Sequence, residues 1–125
     1  MRNIQSFRVS TTLAAQRIVT HLTGTAEAVK VPASTAEKPI GITLDTVKDT
    51  TSAIPVAMGG ELAYILFDDT VATGANVGSD ASGRGVPVTA TTVGVWSIGT
   101  LVGPAVAATG TIAQVLIDPA FLSTG

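Results

Sequence analysis

The dipeptide Ile40-Gly41 recurs as Ile98-Gly99, 58 residues further on, and an isoleucine follows each pair at the same distance, Ile54 in one case and Ile112 in the other. In that register Thr51 falls on Thr109 and Met58 on Leu116. Both stretches read as Ile-Gly, a short apolar strand, a turn of small residues, a threonine and a second apolar strand. A chain that devotes its length to two copies of one strand-turn-strand unit is constrained to a repeated β architecture. The pattern leaves open whether the copies are two sheets of a sandwich or two halves of one barrel.

Residue choice points the same way. Valine, isoleucine and threonine are abundant, and glycine, proline and small polar residues interrupt them about every 8 to 12 positions. Strands are predicted at 4–9, 17–22, 26–31, 40–44, 53–58, 61–67, 84–88, 93–101 and 111–117. Alternation is clearest in Phe7-Arg8-Val9 and Ala28-Val29-Lys30-Val31, which predicts half-buried strands. Tyr64-Ile65-Leu66-Phe67 and Val115-Leu116-Ile117 are continuous apolar runs instead. Such runs fit strands covered on both faces or lying across a subunit contact, and they supply the core candidates.

The turns are well marked. Met58-Gly59-Gly60-Glu61 separates two strands with glycines suited to a tight hairpin. Asp68-Asp69-Thr70 can cap one helical turn over 71–73 before Gly74 stops it, and Ser79 to Arg84 reads as an exposed turn. The first dozen residues are mostly polar, with Ile4, Phe7 and Val9 as apolar anchors, which predicts an arm that orders only on docking and can be deleted from a folded body. The expected fold is therefore mainly β: a small antiparallel barrel or sandwich built from two similar strand-turn-strand halves, with at most one or two helical turns. Its parts are an arm at 1–12, a β domain at 13–119 and a carboxyl-terminal tail at 120–125.

Composition narrows the function. At 125 residues the chain is one domain, long enough to bury roughly two thirds of its unfolded surface. Charged residues are 13% of it and the net charge is −2, so there is no basic field to hold phosphates and nucleic acid is not an expected partner. The stretch from Gly85 to Ile117 carries no Asp, Glu, Lys, Arg or His, yet Pro87, Pro104, five glycines and six threonines break it up, and no membrane span is expected. The polar amino terminus lacks the apolar segment of a secretory signal, so none is expected there. A chain with 46% hydrophobic residues and so few charges is poorly matched to life as a free monomer, and copies of itself or a partner are expected to cover part of it.

Reactive residues are scarce. With no cysteine, thiolate metal sites and a cysteine nucleophile are excluded. The single histidine, His21, has no Gly-x-Ser-x-Gly elbow to serve and reads as an ordinary strand residue. Asp45 with Asp49 and Asp68 with Asp69 are the close carboxylate pairs, and neither has calcium-loop spacing; both read as turn formers. Gly83-Arg84-Gly85 begins like a dinucleotide fingerprint but has Val88 where the third glycine belongs. No enzyme activity, metal or cofactor is expected. A carbohydrate-binding surface would need exposed aromatics, and the candidates, Trp96 and Tyr64, sit in predicted strands where burial is expected.

Thr12 to Val19, Lys38 to Asp45, Val71 to Arg84 and the second Ile-Gly copy closing on Val115-Leu116-Ile117 together resemble the capsid cement, or head decoration, proteins of tailed bacteriophages. The likeness runs from about residue 10 to 119 and departs at Gly103-Pro104, where a small polar turn is the pattern. It implies a structural protein made in the host bacterial cytoplasm that binds the exterior of the mature head and bridges neighbouring major capsid protein subunits, commonly as a homotrimer. The capsid-interface candidates are Arg2, Ile4, Phe7, Arg8 and Val9, the apolar residues adding a strand or plug to a capsid subunit and the arginines meeting carboxylates at its rim. The alternative is a head-fibre base or a host-surface, carbohydrate-binding β module displayed on the virion.

Overall fold

The computed structural model describes residues 3–9, 12–22, 24, 27–46 and 53–124. These hold ten strands and no helix: β1 (Ile4–Val9), β2 (Ile18–His21), β3 (Ala28–Lys30), β4 (Pro39–Thr43), β5 (Ile54–Ala57), β6 (Leu62–Leu66), β7 (Asn76–Ser79), β8 (Gly85–Pro87), β9 (Val95–Leu101) and β10 (Ile112–Leu122). The expected all-β fold is what the chain adopts. The first five strands close into a barrel in the order β1-β3-β2-β4-β5, because β1 runs antiparallel to β5 and parallel to β3. The last five form a sheet in the order β6-β10-β9-β7-β8, whose outer members approach each other at one parallel bridge, Phe67 to Gly85.

The two orders are one scheme used twice. Replacing β1 to β5 by β6 to β10 in sequence reproduces every neighbour relation, and the registers agree residue by residue. Val19 opposite Gly41 has its counterpart in Val77 opposite Gly99. Ile4 opposite Ala57 corresponds to Leu62 opposite Leu116, and Ile42 opposite Ala57 to Thr100 opposite Leu116, which corrects the sequence register by one residue in the last strand of each unit: the counterpart of Leu116 is Ala57 and not Met58, and that of Ile54 is Ala113 and not Ile112. The parallel contact Val9 to Val29 corresponds to the bridge Phe67 to Gly85. The repeated unit is thus five strands, larger than the strand-turn-strand element visible in the sequence.

The Ile-Gly pairs mark where each unit is tightest. A Cβ on Gly41 would collide with the Ala57 carbonyl oxygen, and one on Gly99 with the Leu116 carbonyl oxygen. Each glycine lets its strand lie against the following hairpin partner at a separation no other residue allows. The isoleucine before it faces inward, Ile40 toward the barrel interior and Ile98 into the second core.

Alternation along the strands builds two cores from one wall. Val9, Leu13, Val19, Val29, Ile54 and Val56 fill the barrel, with Phe7 and Ile40 packed against them. Their neighbours Ile18, Ile42 and Ala57 point out of the barrel and join Ile65, Phe67, Val77, Ile98, Val115 and Ile117 in the second core. Backbone bonds stitch the seam: the Leu66 amide donates to the Gln16 carbonyl (3.1 Å), the Ile18 amide to Gly83 (2.7 Å) and the Trp96 amide to Thr35 (2.7 Å).

Four further expectations are corrected. Residues 4–9 are not a free arm; β1 is paired on both sides, and the Arg8 and Met58 amides donate to Glu27 and Asn3 carbonyls. No helical turn follows Asp68-Asp69-Thr70, because Val71 instead exchanges both backbone bonds with Val106. Strand β7 was not anticipated, since Asn76-Val77-Gly78-Ser79 offers one large apolar residue; Gly78 is required there, as a Cβ would stand 2.5 Å from Val88. The tail expected at 120–125 is strand as far as Leu122: a bulge between Ile117 and Ala120 absorbs Asp118-Pro119, and β10 continues along β9.

The duplicated registers predict an energetic coupling. In the barrel the parallel contact joins two valines, whereas its counterpart joins Phe67 to Gly85, where a Cβ would stand 2.7 Å from the Phe67 ring. Gly85→Val alone should destabilise by about 1–3 kcal/mol through overpacking. Combined with Phe67→Val, which restores the barrel's own pairing, it should cost less than the sum of the single changes by about 1 kcal/mol or more in urea denaturation. Strict additivity would refute the equivalence of the two contacts.

Candidate functional site

On β6 and β10 the inward residues Ala63, Ile65, Ala113, Val115 and Ile117 are buried, and the intervening ones stand on the opposite face. Leu62 lies across from Leu116, Tyr64 from Gln114 and Leu66 from Ile112, so these six side chains share one surface. Leu62 is 51% exposed, Tyr64 55% and Ile112 48%. Val102, whose amide donates to the Gln114 carbonyl, extends the face beyond β9 and is also exposed. Among the described residues eight large apolar side chains remain exposed, and five of them, Leu62, Tyr64, Val102, Ile112 and Leu116, are here.

Tyr64 forms a ridge between two open grooves. One, of about 300 Å³, lies between Tyr64 and the Gly103-Pro104-Ala105 loop, with Gln114 on its floor. The other, of about 280 Å³, separates Tyr64 and Leu62 from Thr43 and Leu44 at the end of β4. The paired stretch of this face, Leu62 to Leu66 against Ile112 to Leu116, carries no charged side chain, and the exposed Asp118 follows it on β10. Its chemistry is that of desolvation and shape, with the Tyr64 hydroxyl and the Gln114 amide as polar handles.

The charged groups are committed elsewhere. Asp45 Oδ1 accepts the Thr46 amide and Asp69 Oδ1 the Thr70 amide. Asp80 Oδ1 accepts the amides of Ser82 and Arg84, closing the turn that precedes β8. Lys30 and Glu37 form an ion pair at 3.1 Å; the Ala33 amide and then Lys30 hold the Glu37 carboxyl below its ordinary pKa. The Asp68 carboxyl shares a hydrogen bond with Asp80, which raises its pKa together with partial desolvation and the Asp80 charge, against the opposing pull of Arg84 at 3.6 Å. Burial, then the neighbouring Arg84 charge, lowers the pKa of Arg17 beside this cluster. Among the described residues no three His, Cys, Asp or Glu side chains are grouped so as to hold a metal ion.

The capsid-interface candidates fall apart as a set. Val9 is buried in the barrel core and Phe7 packs against that core, with its ring edge-on to His21 at 6.5 Å. Ile4 is half-buried opposite Ala57, Arg8 is exposed, and Arg2 lies outside the described residues. A strand bonded to β5 through Ile4 to Phe7 and to β3 at Arg8 and Val9 is a stave of the barrel and not an arm free to leave it, so the role of a docking arm is withdrawn. The expected burial of Tyr64 is also overturned. Trp96 is half-buried, 5.3 Å from Phe121, with the Lys38 ammonium 5.5 Å from its ring. The signal for the exposed face was present in the two continuous apolar runs, whose alternate residues serve core and surface.

What these elements define is a class of small all-β modules in which two five-stranded units of one topology share a seam. Among solved structures the chain is similar to the head fibre gp8.5 N base of bacteriophage phi29, with 15% identity over 94% of this chain and 95% of that one and a TM-score of 0.72. At that identity the likeness is one of fold. No family model matches the sequence, and no curated protein matches it.

Two outcomes follow from this geometry. Deleting residues 1–12 should abolish cooperative unfolding, because it strips β1 and Val9 from a closed barrel; a truncated chain with an unchanged sigmoidal thermal transition would contradict the assignment. Asp68 holds its proton to higher pH in the folded protein than in the unfolded chain, so between those two values the native state binds more protons and stability falls as pH rises. Asp68→Asn should flatten that part of the profile, as read from thermal melts across about pH 3 to 6.

Proposed function

We propose that this chain is a structural component of a tailed-bacteriophage head, a base module seated on the outer surface of the capsid through contacts with the major capsid protein. The observation that carries the reading is the end-to-end correspondence with a head-fibre base, covering 94% of one chain and 95% of the other. The resemblance of Thr12 to Val19, Lys38 to Asp45 and Val71 to Arg84 to head decoration proteins supports the same location from the sequence. Supporting it further, the carboxylates of Asp45, Asp69 and Asp80 accept backbone amides in turns. A protein of this design acts by occupying a surface.

A base and a cement share the attachment step and differ in its consequence. Cement contributes binding free energy that must be lost before capsid subunits separate, whereas a base anchors an appendage and leaves the shell's own cohesion unchanged. The fold likeness favours the base. The test is to prepare heads of the phage that carries the gene with and without this protein. Recombinant protein should co-sediment saturably with the deficient heads, and those heads should retain their DNA on heating as well as complete ones. Failure to bind any head would overturn the reading; binding together with heat-labile deficient heads would restore the cement form.

A further inference from the structure

We propose that the open edge of β6 at Leu62 and Tyr64 takes up one extended segment of the shell protein, added as a further strand; the identity of that partner rests on head attachment. The hydrogen-bond phase of β6 carries the inference. The Ile117 amide donates to the Glu61 carbonyl (2.9 Å) and the Phe67 amide to the Thr111 carbonyl (2.8 Å), so the odd-numbered residues of β6 turn their backbone groups toward β10. Leu62, Tyr64 and Leu66 turn theirs the other way, and the Leu66 amide accordingly donates to the Gln16 carbonyl (3.1 Å). Among the described residues nothing meets the outward amides and carbonyls of Leu62 and Tyr64.

A slot one strand wide continues from Gln16 along this edge. Gln16 stands between two strands as a single link, its carbonyl accepting from Leu66 on one side and its amide donating to the Thr43 carbonyl on the other (2.9 Å). Beyond it the groove of about 280 Å³ runs between Tyr64 and Leu62 on β6 and Thr43 and Leu44 at the end of β4. One residue spans the gap at Gln16, so the width there is that of a strand with a neighbour on each side, about 9.5 Å between the outer two. A single extended chain fits such a slot, and the edge of a folded sheet, with its own neighbour behind it, does not. No lining residue is charged, so the entrant is a neutral stretch.

The other edge of the same sheet is guarded and this one is not. Strand β8 is 3 residues long and ends in Pro87, which has no amide hydrogen to offer. In the first unit the edge that matches β6 belongs to β1, and it is polar where β6 is apolar: Ser6 stands for Tyr64 and Arg8 for Leu66. Strand β6 runs Leu62-Ala63-Tyr64-Ile65-Leu66 in unbroken register with β10, without proline, charge or bulge. Unmet backbone groups beside a groove, on a strand with none of the usual guards, form a template for strand addition.

The test is amide hydrogen exchange of the full chain, free and bound to heads that lack it. In the free protein the Leu62 and Tyr64 amides should exchange quickly, and on heads they should slow by about 10-fold or more. Leu62→Pro removes one outward donor and leaves the ladder to β10 intact, so it should raise the dissociation constant for heads by about 10-fold or more, and by clearly more than Leu62→Ala, which keeps the amide. Val93→Glu, a charge at an 87% exposed position away from this edge, should change nothing. Should Leu62→Pro fold poorly, the exchange of the wild-type amides decides alone. Heads that bind the chain while both amides stay fast, or that bind Leu62→Pro as well as Leu62→Ala, would overturn strand addition and leave the head-base reading intact. Protection that grows with protein concentration in the absence of heads would assign the edge to a second copy and refute the proposal, and failure to bind any head would overturn both readings.

Discussion

The structure depends on a wall shared by two interiors. Strands β2, β4 and β5 turn Val19, Ile40, Ile54 and Val56 toward the barrel axis and Ile18, Ile42 and Ala57 away from it, into the second core. Full burial of each large side chain contributes about 1.5–3 kcal/mol, so withdrawing this wall would cost both cores at once. The second unit needs it more. Its outer strands β6 and β8 touch at one bridge, and the backbone of residues 16–18 runs between Leu66 and Gly83, satisfying groups that a closed barrel would pair internally. Neither unit has the cover to stand alone, which is the reason a chain of two copies folds as one body.

The sequence displayed the tightest points of this arrangement and hid its extent. Ile-Gly stood out because Gly41 and Gly99 are each locked by a carbonyl oxygen of the next strand, a constraint that only glycine meets. The remaining registers left no such mark. Equivalent positions hold Val9 and Phe67, Val29 and Gly85, or Ser6 and Tyr64, pairs that share geometry without sharing chemistry. Strand β7 was illegible because Gly78 and Ser79 replace the apolar alternation by close packing. Polar composition likewise suggested an arm at 1–12, although backbone pairing to β5 and, at Arg8 and Val9, to β3, which any residue but proline can make, decides the fate of residues 4–9.

The two units have diverged by different rules inside and outside. Inside, volume is exchanged across a contact: the Phe67 ring fills what would be side-chain space at Gly85, and the barrel divides the same space between Val9 and Val29. Close packing enforces that compensation, since an interior tolerates neither overlap nor void. Outside, no such rule applies: Tyr64 and Leu116 on the β6 and β10 wall stand where the first unit has Ser6 and Ala57, and Leu62 where it has Ile4.

That difference is the reason to locate function on the outer wall and not in the two cores or the turns. Exposed apolar side chains are a solubility cost that folding does not demand here, as the first unit shows with Ser6 and Ala57. Among the described residues Asp45, Asp69 and Asp80 are engaged with backbone amides, and Asp68 with Asp80 and Arg84. A protein that attaches by area also gains most from being joined to its own kind. Contacts that are weak singly become durable when several sit on one rigid assembly, because each is held near its partner while another lets go.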